Sequence, residues 1–178
     1  MENKNSTKQA VKYLIDMGHK KIGYLRSEVT SRNFQERFAG YEQAMHQHGL
    51  AIEKKYCYVV PVSITGAYET FGKLLEEGRE MPTAFLADND MIALGVMQAL
   101  QKYHVRIPED VSVVGFDDIE FSRVFAPGLT TIKVYTKELG ELAVEKLLNV
   151  IKRPQCVQTR TQMYTRLVVR GSTAPLEK

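Results

Sequence analysis

The sequence has no tryptophan and only two cysteines and six prolines among its 178 residues. No stretch approaches the roughly 20 consecutive apolar residues a helix needs to cross a bilayer. Residues Met1 to Ser6 are polar and lack the apolar core of a secretory leader, so the cytoplasm is the expected compartment. Cys57 and Cys156 stand far apart and neither belongs to a C-x-x-C pair. Reduced thiols are therefore expected, not a disulfide framework or a zinc site. No run of five like charges occurs, and the net charge of +3 is spread along the chain. The concentrated basic face of a module that itself grips nucleic acid is missing.

Several chemical signatures are also lacking. There is no G-x-x-x-x-G-K-[ST] loop, no G-x-G-x-x-G after a strand and no G-x-S-x-G elbow. Nothing therefore points to a nucleotide cofactor or a serine nucleophile, and no cofactor is expected. Of the four histidines, His46 and His48 are the closest pair. Two residues apart on a helix they face different ways, so no metal site is expected. Asp117 and Asp118 are adjacent carboxylates, but side chains at neighbouring positions of a strand end diverge. One is expected to face a ligand and the other to cap a short helix over 119–123; acid–base catalysis is the weaker reading.

What is present is a globular domain, 44% hydrophobic and 25% charged. Helical periodicity covers 7–17, 34–47, 66–77, 90–103 and 136–151, several of these ending at a glycine. Short apolar runs at 22–25, 56–60, 84–87, 111–116, 129–134 and 165–169 read as strands, with a loop over 27–33. The run over 111–116 has almost no polar residue, as expected when both faces of a strand are covered. Alternating strands and helices specify an α/β fold, a doubly wound and mostly parallel sheet with right-handed crossovers. In such sheets ligands bind beyond the carboxyl ends of the strands. Those ends carry Arg26-Ser27, Pro61-Val62-Ser63, Asp88-Asn89-Asp90 and Asp117-Asp118. Clustered Asp, Asn and Ser suit either a polyhydroxylated ligand or helix capping.

Five segments carry a resemblance. Gly18-His19-Lys20-Lys21-Ile22-Gly23-Tyr24-Leu25, Arg37-Phe38-Ala39-Gly40-Tyr41, Asp88 to Gly95 (DNDMIALG), Ile107 to Asp118 (IPEDVSVVGFDD) and Pro127-Gly128-Leu129-Thr130-Thr131-Ile132 resemble, in order, motifs of the LacI/GalR family of bacterial transcriptional repressors. The resemblance as a whole covers residues 7 to 173. The resemblance implies one lobe of a periplasmic-binding-protein-like fold, with a small effector held between two similar lobes. It implies a homodimer whose helix-turn-helix headpiece binds operator DNA. This chain starts near the family's crossing from first lobe to second, so headpiece, hinge helix and most of the first lobe are expected to be missing. Residues 1–132 would be the C-terminal lobe. Residues 133–160 would belong to the first lobe's surface, and 161–178 would return a final strand to the C-terminal lobe and end in a tail.

By the same resemblance, Arg37, Asn89 and Asp117 match effector-holding positions. Arg37 would donate two hydrogen bonds from its planar fork, Asn89 would both donate and accept, and Asp117 would accept from vicinal hydroxyls. The alternatives are structural: Arg37 pairing with Asp88 or Asp117, Asn89 capping the helix after it, and Asp117 fixing its loop. Ser27, Asn33, Phe34 and Phe125 are further candidates, the two rings as stacking surfaces or as ordinary core. The implied ligand is a sugar, and the implied function is effector sensing without catalysis. A solute-binding lobe of a sugar transport system is the alternative. Helix 136–151 carries an apolar stripe that is expected to be hidden by folding back, by dimerising or by swapping.

Overall fold

The starts of three helices are written into polar side chains that follow strands. Ser31 Oγ accepts from Phe34 N at 3.2 Å, Ser63 Oγ from Gly66 N at 3.0 Å, and Asn89 Oδ1 from Ile92 N at 3.0 Å. Each satisfies a backbone N–H that has no partner within its helix. In the computed structural model, which describes residues 2–153 and 155–176, the chain runs α1 (Asn3–Asp16), β1 (Ile22–Ser27), α2 (Arg32–Gln47), β2 (Cys57–Val60), α3 (Ile64–Glu76) and β3 (Ala84–Ala87). It continues with α4 (Asp90–Lys102), β4 (Ser112–Asp117), α5 (Phe121–Val124), β5 (Thr130–Lys133), α6 (Thr136–Lys152) and β6 (Arg166–Val168). A 3-10 turn over Lys54–Tyr56 leads into β2.

The six strands form one sheet in the order β2-β1-β3-β4-β5-β6. The first five are parallel and β6 pairs antiparallel with β5. Period-two alternation sorts the side chains onto two faces. Ile22, Tyr24, Leu86, Val114, Phe116 and Ile132 pack beneath α1 and α2 with Val11, Leu14, Tyr41 and Met45. Leu25, Phe85, Ala87 and Val113 pack beneath α3 and α4 with Phe71, Ile92, Val96 and Leu100. Burying each large side chain contributes roughly 1.5–3 kcal/mol, so the two layers account for the doubly wound form. The segment after β6 stitches the edge: Ser172 Oγ donates to Val113 O at 2.6 Å and accepts from Thr130 N at 2.8 Å.

The expected strands and helices are all present, with shifts at their starts. α1 begins four residues before the expected Thr7, because Asn3, Ser6 and Thr7 are all buried against the body. α2 and α3 each begin two residues early, since Ser31 and Ser63 supply caps that periodicity alone does not register. None of the residues of α6 is buried. Val144, Leu147, Val150 and Ile151 are each at least half exposed, so this helix does not fold back onto the sheet.

α3 and α4 meet where α4 has no side chain. A Cβ on Gly95 would lie 2.3 Å from Ile64 O and 2.8 Å from Ala67 Cβ. The backbone carbonyl cannot retreat without moving α3. Gly95→Ala is therefore expected to lower the unfolding free energy by about 1–3 kcal/mol in urea titrations. An unchanged midpoint would show that the helices do not pack this closely.

Candidate functional site

Chain order reverses beside β1: β2 lies on one side of it and β3 on the other, so the connections after β1 and β3 diverge and open a crevice at the carboxyl edge. Asp88, immediately after β3, sits in this opening. Its carboxylate accepts from Tyr24 Oη at 2.7 Å and from Ser27 N at 2.7 Å, locking the two strand ends together. Burial pushes the Asp88 carboxyl above its ordinary value, against the pull of Ser27, Tyr24 and Arg37.

Arg37 reaches the same place from α2 and is 3% exposed. Its guanidinium lies over the Phe116 ring, 3.6 Å from the centroid, with the Phe34 ring at 5.5 Å. Nε donates to Asn3 Oδ1 at 3.2 Å, Nη1 to the Asp88 carbonyl, and Nη2 to Asp117 Oδ1 at 3.1 Å. Among the described residues, three of the five N–H groups of the arginine are thus committed, leaving one on each terminal nitrogen.

Asp117 ends β4 with φ of +120°, a conformation rare for a residue with a side chain, and Asp118 follows at +59°. The reversal turns the two carboxylates apart. Asp117 faces Arg37, with its side chain 34% exposed. The Asp118 side chain is 2% exposed and pairs with Arg170, with Arg123 at 3.3 Å and with Lys133 at 3.9 Å. Asp118 is therefore no helix cap, contrary to the sequence expectation. Asp90 organises that loop instead, accepting from Ile119 N at 3.0 Å, Ser122 Oγ at 2.7 Å and Thr131 Oγ1 at 2.5 Å. Gly115 makes room for it, since a Cβ there would lie 2.2 Å from Asp90 Oδ1.

Other expected residues divide. Asn89 caps α4 through Oδ1, and among the described residues its Nδ2 makes no hydrogen bond, so capping and a free donor coexist. Ser27 and Phe34 line a small cleft of about 50 Å³ with Arg26, Ser31 and Asp88. The Ser27 hydroxyl is occupied in its own turn, accepting from Val29 N at 2.9 Å. Asn33 is exposed on the rim and accepts from Asn3 Nδ2 at 3.1 Å. Phe125 is half-buried and packs against the α3/α4 core. Sequence reasoning missed Asn3 and Tyr24, and it placed Asp90 in the strand-end cluster without its role in the loop after β4. Asn3 was detectable as the first member of a helical stripe continued by Thr7, Ala10, Val11 and Leu14, had α1 been started earlier.

Larger spaces lie away from these groups. One of about 250 Å³ at the amino edge includes His19, Thr83, Arg106 and Asp110. Its polar groups already pair with one another: His19 Nδ1 with Thr83 Oγ1 at 3.0 Å, and Arg106 Nη2 with Asp110 Oδ1 at 2.5 Å. Size alone does not make it the site. The carboxyl edge has buried charge, strained backbone and uncommitted donors in one place.

A six-stranded, doubly wound and mostly parallel sheet with a polar cleft at its switch point defines an α/β protein. Residues 11–173 match the periplasmic binding protein-like domain model, and the chain belongs to that family. It is 37% identical over 166 residues to the HTH-type transcriptional repressor PurR of Haemophilus influenzae, covering 92% of this chain and 49% of that protein. It superimposes with a TM-score of 0.87 and 29% identity on a LacI family transcriptional regulator from Enterococcus faecium with bound ribose, covering 99% of this chain and 65% of that one. With the lac repressor dimer bound to operator and the anti-inducer ONPF, the TM-score is 0.88 at 30% identity, covering 98% and 52%. The chain spans about half the length of the curated relatives it matches. Its kinship is with the effector-binding domains of LacI-type repressors.

Burial, reinforced by the charge of Asp90 and only partly offset by Arg37, pushes Asp117 from 3.8 up to about 6. The folded chain thus holds this proton more tightly than the unfolded chain. The stability conferred by that proton is complete below about pH 3.8 and is lost as pH rises through about 6. Urea unfolding of Asp117→Asn is expected to lack this component of the pH dependence, so its stability falls less than the wild type's between those values. Parallel curves for the two proteins would contradict the elevated Asp117.

Proposed function

We propose that this chain is the effector-sensing portion of a LacI-type transcriptional repressor, and that its carboxyl-edge cleft is one wall of a site for an uncharged, polyhydroxylated small molecule of the sugar class. The observation that carries this reading is the convergence of Arg37, Asn89 and Asp117. Two uncommitted guanidinium N–H groups, an amide donor and a second carboxylate oxygen present alternating donors and acceptors, the pattern a pair of vicinal hydroxyls requires. Ser27 and Phe34 complete the wall, Asn33 stands on its rim, and Phe125 supports the loop from the core side. An uncharged ligand is favoured because Arg37 is already balanced by Asp117.

The reading assigns residues 133–160, including α6, to the surface of the first lobe of the whole protein. The exposed stripe Val144, Leu147, Val150 and Ile151 supports it, since such a stripe requires cover. The lac repressor neighbour is a dimer on operator DNA. By analogy the whole protein is a cytoplasmic homodimer that grips DNA through a separate headpiece. Ligand binding then biases lobe closure, with a coupling of about 1–3 kcal/mol in systems of this kind. A transport-system lobe has the same architecture, but the curated relatives are repressors. No catalysis is assigned to the site.

The test is a thermal-shift and calorimetric screen of neutral pentoses and hexoses, with D-ribose first, on the chain with its first lobe restored. A binding sugar is expected to lose about 10- to 100-fold in affinity in both Arg37→Lys, which keeps the charge but not the fork, and Asp117→Ala. A bound sugar whose affinity neither variant alters would place the site elsewhere. Turnover of a glycoside that disappears in Asp117→Asn would replace this reading with an enzymatic one.

A further inference from the structure

Asn3 is where α1 touches the arginine of the site. It is 2% exposed, and among the described residues all its side-chain hydrogen bonds run to α2. Oδ1 accepts from Arg37 Nε at 3.2 Å, while Nδ2 donates to Asn33 Oδ1 at 3.1 Å and to Glu36 Oε2 at 3.0 Å. A carboxamide is suited to this place because it accepts on one side and donates twice on the other. A carboxylate would face Glu36 with like charge, and an apolar residue would strand the buried Arg37 Nε.

The guanidinium is a rigid plane. Its contact with the Phe116 ring at 3.6 Å limits tilting but leaves rotation within the plane free. The Asp88 carbonyl holds one terminal nitrogen, and Asp117 is itself partly open to solvent. The hydrogen bond at Nε supplies the remaining fixed point, and it is the one that comes from α1. α1 is also bound to the end of the chain, through Ser6 Oγ to Thr165 Oγ1 at 2.6 Å and Tyr13 Oη to Thr173 Oγ1 at 2.8 Å. The helix is thus anchored on one side to the segment following α6 and on the other to the cleft.

We propose that Asn3 is a positioning residue of the effector site: from α1 it fixes the in-plane orientation of the Arg37 guanidinium and so aims the terminal N–H groups at Asp117 and at the ligand. Any displacement of α1 along its axis is thereby passed to the arginine. The value of this role for recognition rests on the sugar-site reading above, but the orientation itself is measurable without ligand.

Two NMR readouts on the whole chain test it: solvent exchange of the Arg37 Nε–H, and the titration midpoint of the Asp117 carboxyl carbon. Asn3→Ala is expected to accelerate the exchange by about tenfold or more and to raise the Asp117 midpoint, because a loosened guanidinium stabilises the carboxylate less. Asn3→Asp retains an acceptor for Nε and, despite its like charge with Glu36, is expected to keep the exchange slow; it also serves if the alanine variant does not fold. Thr7→Ala removes the hydroxyl that donates to the Asn3 carbonyl at 2.9 Å together with a buried methyl, loosening α1 while leaving the Asn3 side chain in place, and is expected to leave both readouts near wild type. Unchanged Arg37 exchange in Asn3→Ala, fast exchange in Asn3→Asp, or an equal response in Thr7→Ala would each overturn the positioning role. Failure of every sugar to bind would count against the proposed ligand and leave these readouts untouched.

Discussion

A buried arginine cannot stay where it is unless its surroundings are built for it. Arg37 is taken out of water at the edge of the sheet, and the cost of that desolvation is several kcal/mol unless each face of the ion is satisfied. The fold meets the demand from four directions. Asn3 comes from α1, the Asp88 carbonyl from the end of β3, Asp117 from the end of β4, and Phe116 offers its ring from beneath. Each of these carries its own constraint. Asp88 ties down Ser27 and Tyr24, and the turn at Asp117 requires a positive φ followed by the buried Asp118 cluster. Much of the carboxyl edge follows from this one cation.

The same constraint explains how much was legible in the sequence. The strands, the helices and the two layers depend on hydrophobic periodicity, and runs such as Val111 to Phe116 declare themselves. Arg37 and Asp117 stood out through their motifs, and the structure brings them to 3.1 Å. Helix starts at Ser31 and Ser63 were less visible because a cap is a single hydrogen bond, not a repeating pattern. Asn3 was hidden for a deeper reason: a polar residue in a polar stretch looks solvated until its partner, 34 positions away, is known. The division of labour between Asp117 and Asp118 depended on backbone turning, which adjacent identical residues do not reveal. Phe125 was ambiguous because an aromatic ring packs equally well in a core or on a ligand.

α6 marks the opposite situation. Its sequence is as periodic as any in the chain, yet no residue of it is buried. Periodicity reports that a helix has an apolar face, not where the complementary surface is. Here the complementary surface belongs, in the proposed reading, to a lobe outside this sequence. That places α1 in a consequential position, since it contacts both the segment that follows α6 and the arginine of the cleft. A change in the lobe relationship and a change at the ligand wall then share one mechanical element, which is the minimum that effector-dependent regulation requires.

The most direct test of the central claim is a map of where a bound ligand is felt. Backbone and arginine side-chain NMR signals would be followed as a binding sugar is titrated into the two-lobe protein. The account predicts the largest changes at Ser27, Phe34, Arg37, Asn89 and Asp117, with smaller ones at Asn3. Changes centred on His19, Thr83 and Arg106 at the amino edge, with Arg37 and Asp117 unmoved, would contradict it.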